Sequence, residues 1–188
     1  MKEVQTSITP TALPTVIAEK SDFQTTENTG KFVINPQFDK AFFYGFHFAQ
    51  GSFSEGLAAV RIGDEESGKW GFIDKQGKMV INPQFGNFSD FREGLAAVRI
   101  GDEESGKWGF IDKQGKMVIN PQFHTAALFS EGLAAVAKNR DPFSWGYVDK
   151  QGKMAINHQY DHVSSFSDGL AAVLIGDSTS GKWGYISR

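Results

Sequence analysis

The chain contains no cysteine. Disulfides, thiolate zinc sites and cysteine nucleophiles are therefore excluded. It has no excess of positive charge either. The formal net charge is −3, which argues against nucleic acid as a partner, because phosphate-backbone binding needs a basic surface. No apolar run approaches membrane-spanning length. The stretch Met1 to Lys20 lacks the apolar h-region of a signal peptide. There is no glycine-rich phosphate loop and no nucleophile elbow. The four histidines, His47, His124, His158 and His162, fall at non-equivalent positions. His158 and His162 are four apart, but in an expected loop, where helical metal-ligand geometry does not apply. These absences set the expectation: no enzyme, no cofactor and no resident metal.

What the chain does have is repetition. Residues 53–85 read FSEGLAAVRIGDEESGKWGFIDKQGKMVINPQF, and residues 91–123 repeat them with a single change, Ser54 to Arg92. A third copy starts at Phe129 and a fourth at Phe166. The tryptophans Trp70, Trp108, Trp145 and Trp183 follow one another at 38, 37 and 38 residues. Upstream, GKFVINPQF at 30–38 is the tail of an earlier unit whose tryptophan position holds Phe23. The units are approximately 23–52 (partial, with an insertion), 53–90, 91–128, 129–165 and 166–188 (partial). Before them, residues 1–22 are rich in Thr and Pro and read as a flexible linker. Such a stretch suits a cytoplasmic chain and equally an exported one, as a stalk behind a removed signal.

Each unit reads as strands. LAAVRI alternates Leu57, Ala59 and Arg61 against Ala58, Val60 and Ile62, and KWGFID and KMVI follow. Runs this short suit strands and are too short for helices. Between the last two, Asp74-Lys75-Gln76-Gly77 suits a type I turn with a G1 bulge. GDEESG, one residue shorter in the third copy, marks an exposed hairpin loop. Asn82-Pro83 should end the third strand, since proline cannot donate to a ladder. The expected fold is all-β: tandem three-stranded antiparallel meanders, with neighbouring units covering each other's faces. The first and last strands favour a propeller-like closed ring, Lys182–Ser187 pairing with 31–34; an open β-solenoid or superhelix is the alternative.

The units KWGFIDKQGKMVINPQF and FSEGLAAV resemble the WG-repeat (KWG-repeat) family, common in bacterial proteins. The resemblance runs from about Gly30 to Arg188. It implies a β-strand repeat used as an accessory or interaction module, and it supplies no catalytic set.

Three groups of residues are candidates for function or repeat packing. Trp70, Trp108, Trp145 and Trp183, with Gly71, Gly109, Gly146 and Gly184, read as a repeating structural core, the missing bulk of each glycine admitting a neighbouring backbone or indole. The insertion Asp39 to Ser52 holds Phe42, Phe43, Tyr44, Phe46, His47 and Phe48 and reads either as an aromatic loop for a partner or as an extra hairpin capping the first unit. The repeated Glu55, Glu93 and Glu131, with Asp168, are expected to accept backbone bonds at the strand start, or to line a central channel, with Arg61 and Arg99 as pairing cations. The acidic Asp64-Glu65-Glu66 and Asp102-Glu103-Glu104 read as solvated loops rather than calcium sites. The expected function is non-catalytic binding of a protein partner through loops and the insertion. A carbohydrate or small ligand is the alternative, and an enzyme with a central pocket the least favoured reading. The near-identity of two units predicts a monomer with some domain-swapped dimer on refolding.

Overall fold

A computed structural model describes residues 33–41, 43–44, 49–50, 52–64, 66–140 and 144–188. They belong to the second of two compact units, Val33–Arg188. The linker assigned to 1–22 lies outside the described residues. Every regular element is a strand. Phe43–Tyr44 (β1) and Ala49–Gln50 (β2) form a small hairpin. Leu57–Ile62 (β3), Lys69–Asp74 (β4) and Met79–Phe85 (β5) form sheet 1. Asn87–Phe88 (β6), Leu95–Ile100 (β7), Lys107–Asp112 (β8) and Met117–Phe123 (β9) form sheet 2. Thr125–Ser130 (β10), Leu133–Ala137 (β11), Trp145–Asp149 (β12) and Met154–Tyr160 (β13) form sheet 3. His162–Val163 (β14), Leu170–Ile175 (β15) and Lys182–Ser187 (β16) form sheet 4. All pairings are antiparallel and sequential, so each sheet is a meander.

The meander runs further than the three-strand expectation. The segment after each Pro-Gln-Phe or His-Gln-Tyr adds a leading strand, β6, β10 or β14, to the next sheet. In sheet 1 that strand is reduced to a single bridge, Lys40 to Arg61. Pro83 does not end the third strand. β5 continues to Phe85, and the ladder steps from Phe72↔Ile81 to Trp70↔Phe85. Two residues of β4 thus face four of β5, a bulge that carries the proline where no ladder donor is needed.

The sheets stack face to face. Leu57, Ala59, Trp70, Phe72, Ile81 and Phe85 of sheet 1 form one buried cluster with Phe88, Phe91, Ala96, Val98 and Ile111 of sheet 2. The opposite face of sheet 2, through Leu95, Ala97, Phe110 and Ile119, meets Phe129, Ala134, Val136 and Val148 of sheet 3. Sheet 3 meets Phe166 and Ala171 of sheet 4 in the same way, through Leu133, Ala135 and Tyr147. Alternation along LAAVRI places apolar side chains on both faces, and stacking buries both. Trp and Phe from one sheet lie against the small Ala and Val of the next. Edge-on aromatic contacts recur at each junction, as with Phe72–Phe91 and Phe110–Phe129.

The ring closure favoured by the terminal strands is not made among the described residues. β16 pairs with β15 alone. Its Trp183 is 58% and its Tyr185 75% exposed.

Candidate functional site

Several polar side chains recur from unit to unit, and their first task is local. Asp74 Oδ1 accepts from the N–H groups of Gln76 and Lys78, while Gly77 N–H donates to Asp74 O, closing the expected bulged turn. Asp64 Oδ1 accepts from Glu66 N–H, Ser67 N–H and the Ser67 hydroxyl. Asp102 and Asp177 do the same in their copies. Hydrogen bonds from the backbone and side chain of Ser67 hold Asp64 below the usual carboxylate range, and those from Ser105 act likewise on Asp102. The carboxylates leading these acidic loops are turned to their own backbone.

The Glu of each FSEGL motif acts between repeats. Glu55 and Gly56 both have positive φ, +50° and +92°, and Ser54 and Leu57 exchange both backbone hydrogen bonds across them. This is a two-residue hairpin turn of the type I′ kind. A glutamate in that conformation is strained by about 1–2 kcal/mol. The compensation is long-range. Glu55 Oε2 accepts from Gly94 N–H, one repeat onward, at 3.0 Å, and pairs with Lys113 Nζ at 3.0 Å. Glu93 accepts from Gly132 N–H and pairs with Lys150 at 3.1 Å. Glu131 accepts from Gly169 N–H and pairs with Arg188 at 3.5 Å. Partial burial pushes the Glu55 carboxyl up, but the bonds from Lys113 and Gly94 outweigh it and the net direction is down. The expected pairing with Arg61 and Arg99 is replaced by these lysines and Arg188, and the expected backbone donor lies in the following repeat.

Sequence reasoning missed this turn because Glu is an uncommon first residue for it. The fourth copy carries the usual signature, Asp168-Gly169. Asp168 heads sheet 4, the last sheet described.

The glycines of Trp-Gly answer to the β5-type bulge. A Cβ on Gly71, Gly109 or Gly146 would stand 2.4–2.5 Å from the carbonyl oxygen of Ile81, Ile119 or Ile156. The close approach is the bulged backbone of the same sheet, not an indole from another. Trp70 is buried, Trp108 and Trp145 are half-buried, and Trp183 is exposed.

Three histidines are described. Burial lowers the pKa of His124 and His158, and nearby cations add to it, Lys107 and Arg140 for His124 and Lys138 for His158. The exposed ring of His162 lies between Trp145 and Trp183, with centroids 6.2 and 6.0 Å away. In sheet 3 Tyr147 replaces the phenylalanine of the earlier copies. Its hydroxyl donates to Ser164 O at 2.7 Å. Burial, helped by Tyr160, pushes its pKa up to about 12. It is a structural tie between sheets 3 and 4. Of the aromatic insertion, Phe43 and Tyr44 form β1; Phe42, Phe46, His47 and Phe48 lie outside the described residues.

One cleft, of about 530 Å³, opens at the loop end of sheets 1 and 2. Arg61, Trp70 and Lys40 line it from sheet 1, and Arg99, Asp102 and Glu103 from sheet 2. Lys40 also opens the insertion, so the cleft and the start of the insertion share a wall. In sheet 3 the position of Arg99 is taken by Ala137, so this doubly cationic wall belongs to the first junction alone.

Stacked meanders locked by a repeat-to-repeat carboxylate ladder define a tandem β-repeat protein. The WG containing repeat family matches over residues 28–47, 70–103, 108–140 and 145–183, and the chain belongs to that family. No curated protein and no solved structure matches the chain.

Proposed function

We propose that this chain is a non-catalytic interaction module that engages a protein partner at the loop end of its first two sheets, with the insertion 39–52 forming one side of the contact. The observation that carries this reading is the cleft at the first junction. It sets charges of both signs, Arg61 and Arg99 against Asp102 and Glu103, over the edge of the buried Trp70 indole. Aromatic and arginine side chains are the residues that most often anchor protein interfaces. Elsewhere the recurring carboxylates are engaged in turns and in the ladder between repeats, which is scaffold work.

The test is affinity capture with the intact chain, with a version whose residues 40–51 are replaced by the short connection of the second unit, and with Lys69→Glu, which reverses the charge of an exposed lysine that also lines the cleft. A partner lost from both variants, at unchanged melting temperature, supports the reading. Retention of the partner by both variants sinks it. Retention of the chain on immobilised polysaccharide, with a change in tryptophan emission and no protein partner, would replace it with the carbohydrate reading.

A further inference from the structure

Sheets 1, 2 and 3 each end on the same bulged strand. Among the described residues β5, β9 and β13 pair with β4, β8 and β12 alone, so each leaves one edge uncovered. The three edges are neighbours in the stack. The turn glycines Gly115 and Gly152 abut Ile81 and Ile119, each on the bulged strand of the unit before. Stacked sheets lie about 10 Å apart, so the edges form a ladder with that spacing between its rungs.

Every rung displays the same polar side chains. Asn82, Asn120 and Asn157 are exposed, and their side-chain amides make no hydrogen bond among the described residues. None of the three has positive φ, so the backbone does not call for asparagine there. Gln84, Gln122 and Gln159 are exposed too and make only long contacts, of 3.3–3.4 Å, with acceptors that differ from copy to copy. The third copy has changed around this pair, with Ala155, His158 and Tyr160 in place of Val, Pro and Phe, yet it keeps Asn157 and Gln159. Residues 33–38 keep the pair as Asn35 and Gln37. At the turn side of each rung stands an exposed lysine, Lys78, Lys116 or Lys153, with no ion pair among the described residues. The Asp that opens each turn does not neutralise it, because its Oδ1 is engaged by the turn's own N–H groups.

We propose that this ladder binds an extended acidic polysaccharide that runs along the stack, one disaccharide unit to a rung. A side-chain amide both donates and accepts, so it can pair with two neighbouring hydroxyls of a sugar ring. The lysine row supplies the complementary charge for one uronate carboxylate in each unit. The rung spacing of about 10 Å is the length of a disaccharide in an extended chain. Each rung holds its unit weakly, and affinity builds as the polymer engages several rungs at once. One lysine per rung is too sparse for a nucleic acid strand, which carries a charge about every 3.4 Å. The ladder shares no residue with the cleft at the first junction, so it stands or falls apart from the partner proposed there.

The test is calorimetric titration of the full chain with oligogalacturonates, from the disaccharide to the hexasaccharide. Affinity should rise at least about tenfold from one to the other, as one rung and then all three are engaged. The combined variant Asn82→Ala, Asn120→Ala and Asn157→Ala should lose at least about tenfold in affinity for the hexasaccharide at an unchanged melting temperature, since exposed side chains without partners hold nothing in the fold. Lys78→Gln, Lys116→Gln and Lys153→Gln together should weaken binding likewise. Lys69→Glu, in the cleft, should bind as the parent does. Absence of binding at every length overturns the proposal, and so does an affinity that ignores length. Binding that survives both combined variants overturns it as well. Polyglutamate or single-stranded DNA bound as tightly as the hexasaccharide would show a response to charge alone and sink the polysaccharide assignment.

Discussion

Sheets 2 and 4 contain nearly the same strands and live in different surroundings. Phe110 of sheet 2 is fully buried under sheet 3, while its counterpart Tyr185 is 75% exposed. Leu95 is buried, and its counterpart Leu170 is 48% exposed. The difference teaches that a unit does not bury itself. Its two faces are covered only by the sheets before and after it, as expected of a quasi-one-dimensional repeat array. Substituting the same position in both places should therefore give unequal costs. Phe110→Ala should lose about 3–5 kcal/mol, the usual penalty for emptying a large aromatic site. Tyr185→Ala should change stability by less than about 0.5 kcal/mol at protein concentrations where the chain is monomeric. Urea denaturation of both variants checks this, and similar midpoints would break the comparison.

The Trp-Gly pairs give a second contrast of smaller size. Gly109→Ala places a methyl 2.4 Å from Ile119 O, and the bulged strand would have to shift, at about 1–3 kcal/mol. Gly184→Ala meets nothing and removes a flexible residue from a strand. It should stabilise the chain by about 0.5 kcal/mol. Thermal unfolding of the two variants should move in opposite directions.

The carboxylate ladder yields a third. Glu93→Gln keeps the turn and weakens the tie to Gly132 and Lys150, at a cost of about 1 kcal/mol. Asp168→Asn, at the end of the array, should cost almost nothing, because Asn suits this turn as well as Asp does. The ladder also has a pH signature. The folded Glu55 pKa is lowered from the ordinary value of 4.5. Its contribution is therefore fully present above that value and is lost as pH falls through the lowered one. The parent should lose stability on acidification through this window more steeply than Glu55→Gln, as read by urea midpoints at successive pH values.

How much of this was legible in the sequence depends on the range of the interaction. Periodicity exposed the units, the strands and the Asp-Lys-Gln-Gly turn, because each is set within a few residues. The mutual covering of sheets also followed, since LAAVRI is apolar on both faces and a meander cannot bury both alone. Pro83 misled, because a proline reads as a strand end unless the bulge opposite Gly71 is known. The target of Glu55 was hidden for a different reason. Gly94 and Lys113 lie 39 and 58 residues away, and no local pattern records which repeat a long side chain will reach. Ring closure depended on where β16 finds its neighbour, which the repeats themselves do not specify.

The smallest effect tests the repeat comparison most finely, at the one position where the two long copies differ. Ser54 Oγ donates to Phe91 O at 2.6 Å, and Ser130 Oγ donates to Phe166 O at 2.7 Å. Each bond joins a turn to the repeat that follows. Arg92 holds the same position between them and has no hydroxyl to offer Phe129 O. Arg92→Ser should add the missing bond and stabilise the chain by about 0.5–1 kcal/mol, a rise of roughly 1–4 °C in melting temperature at this chain length. Ser54→Ala should lose a similar amount. Ser167, in sheet 4, makes no such bond among the described residues, and Ser167→Ala should leave the melting temperature where it is. Calorimetry on the three variants separates a bond between repeats from a property of the turn. If Ser167→Ala costs as much as Ser54→Ala, the hydroxyl serves its own turn and the tie to the next sheet is incidental.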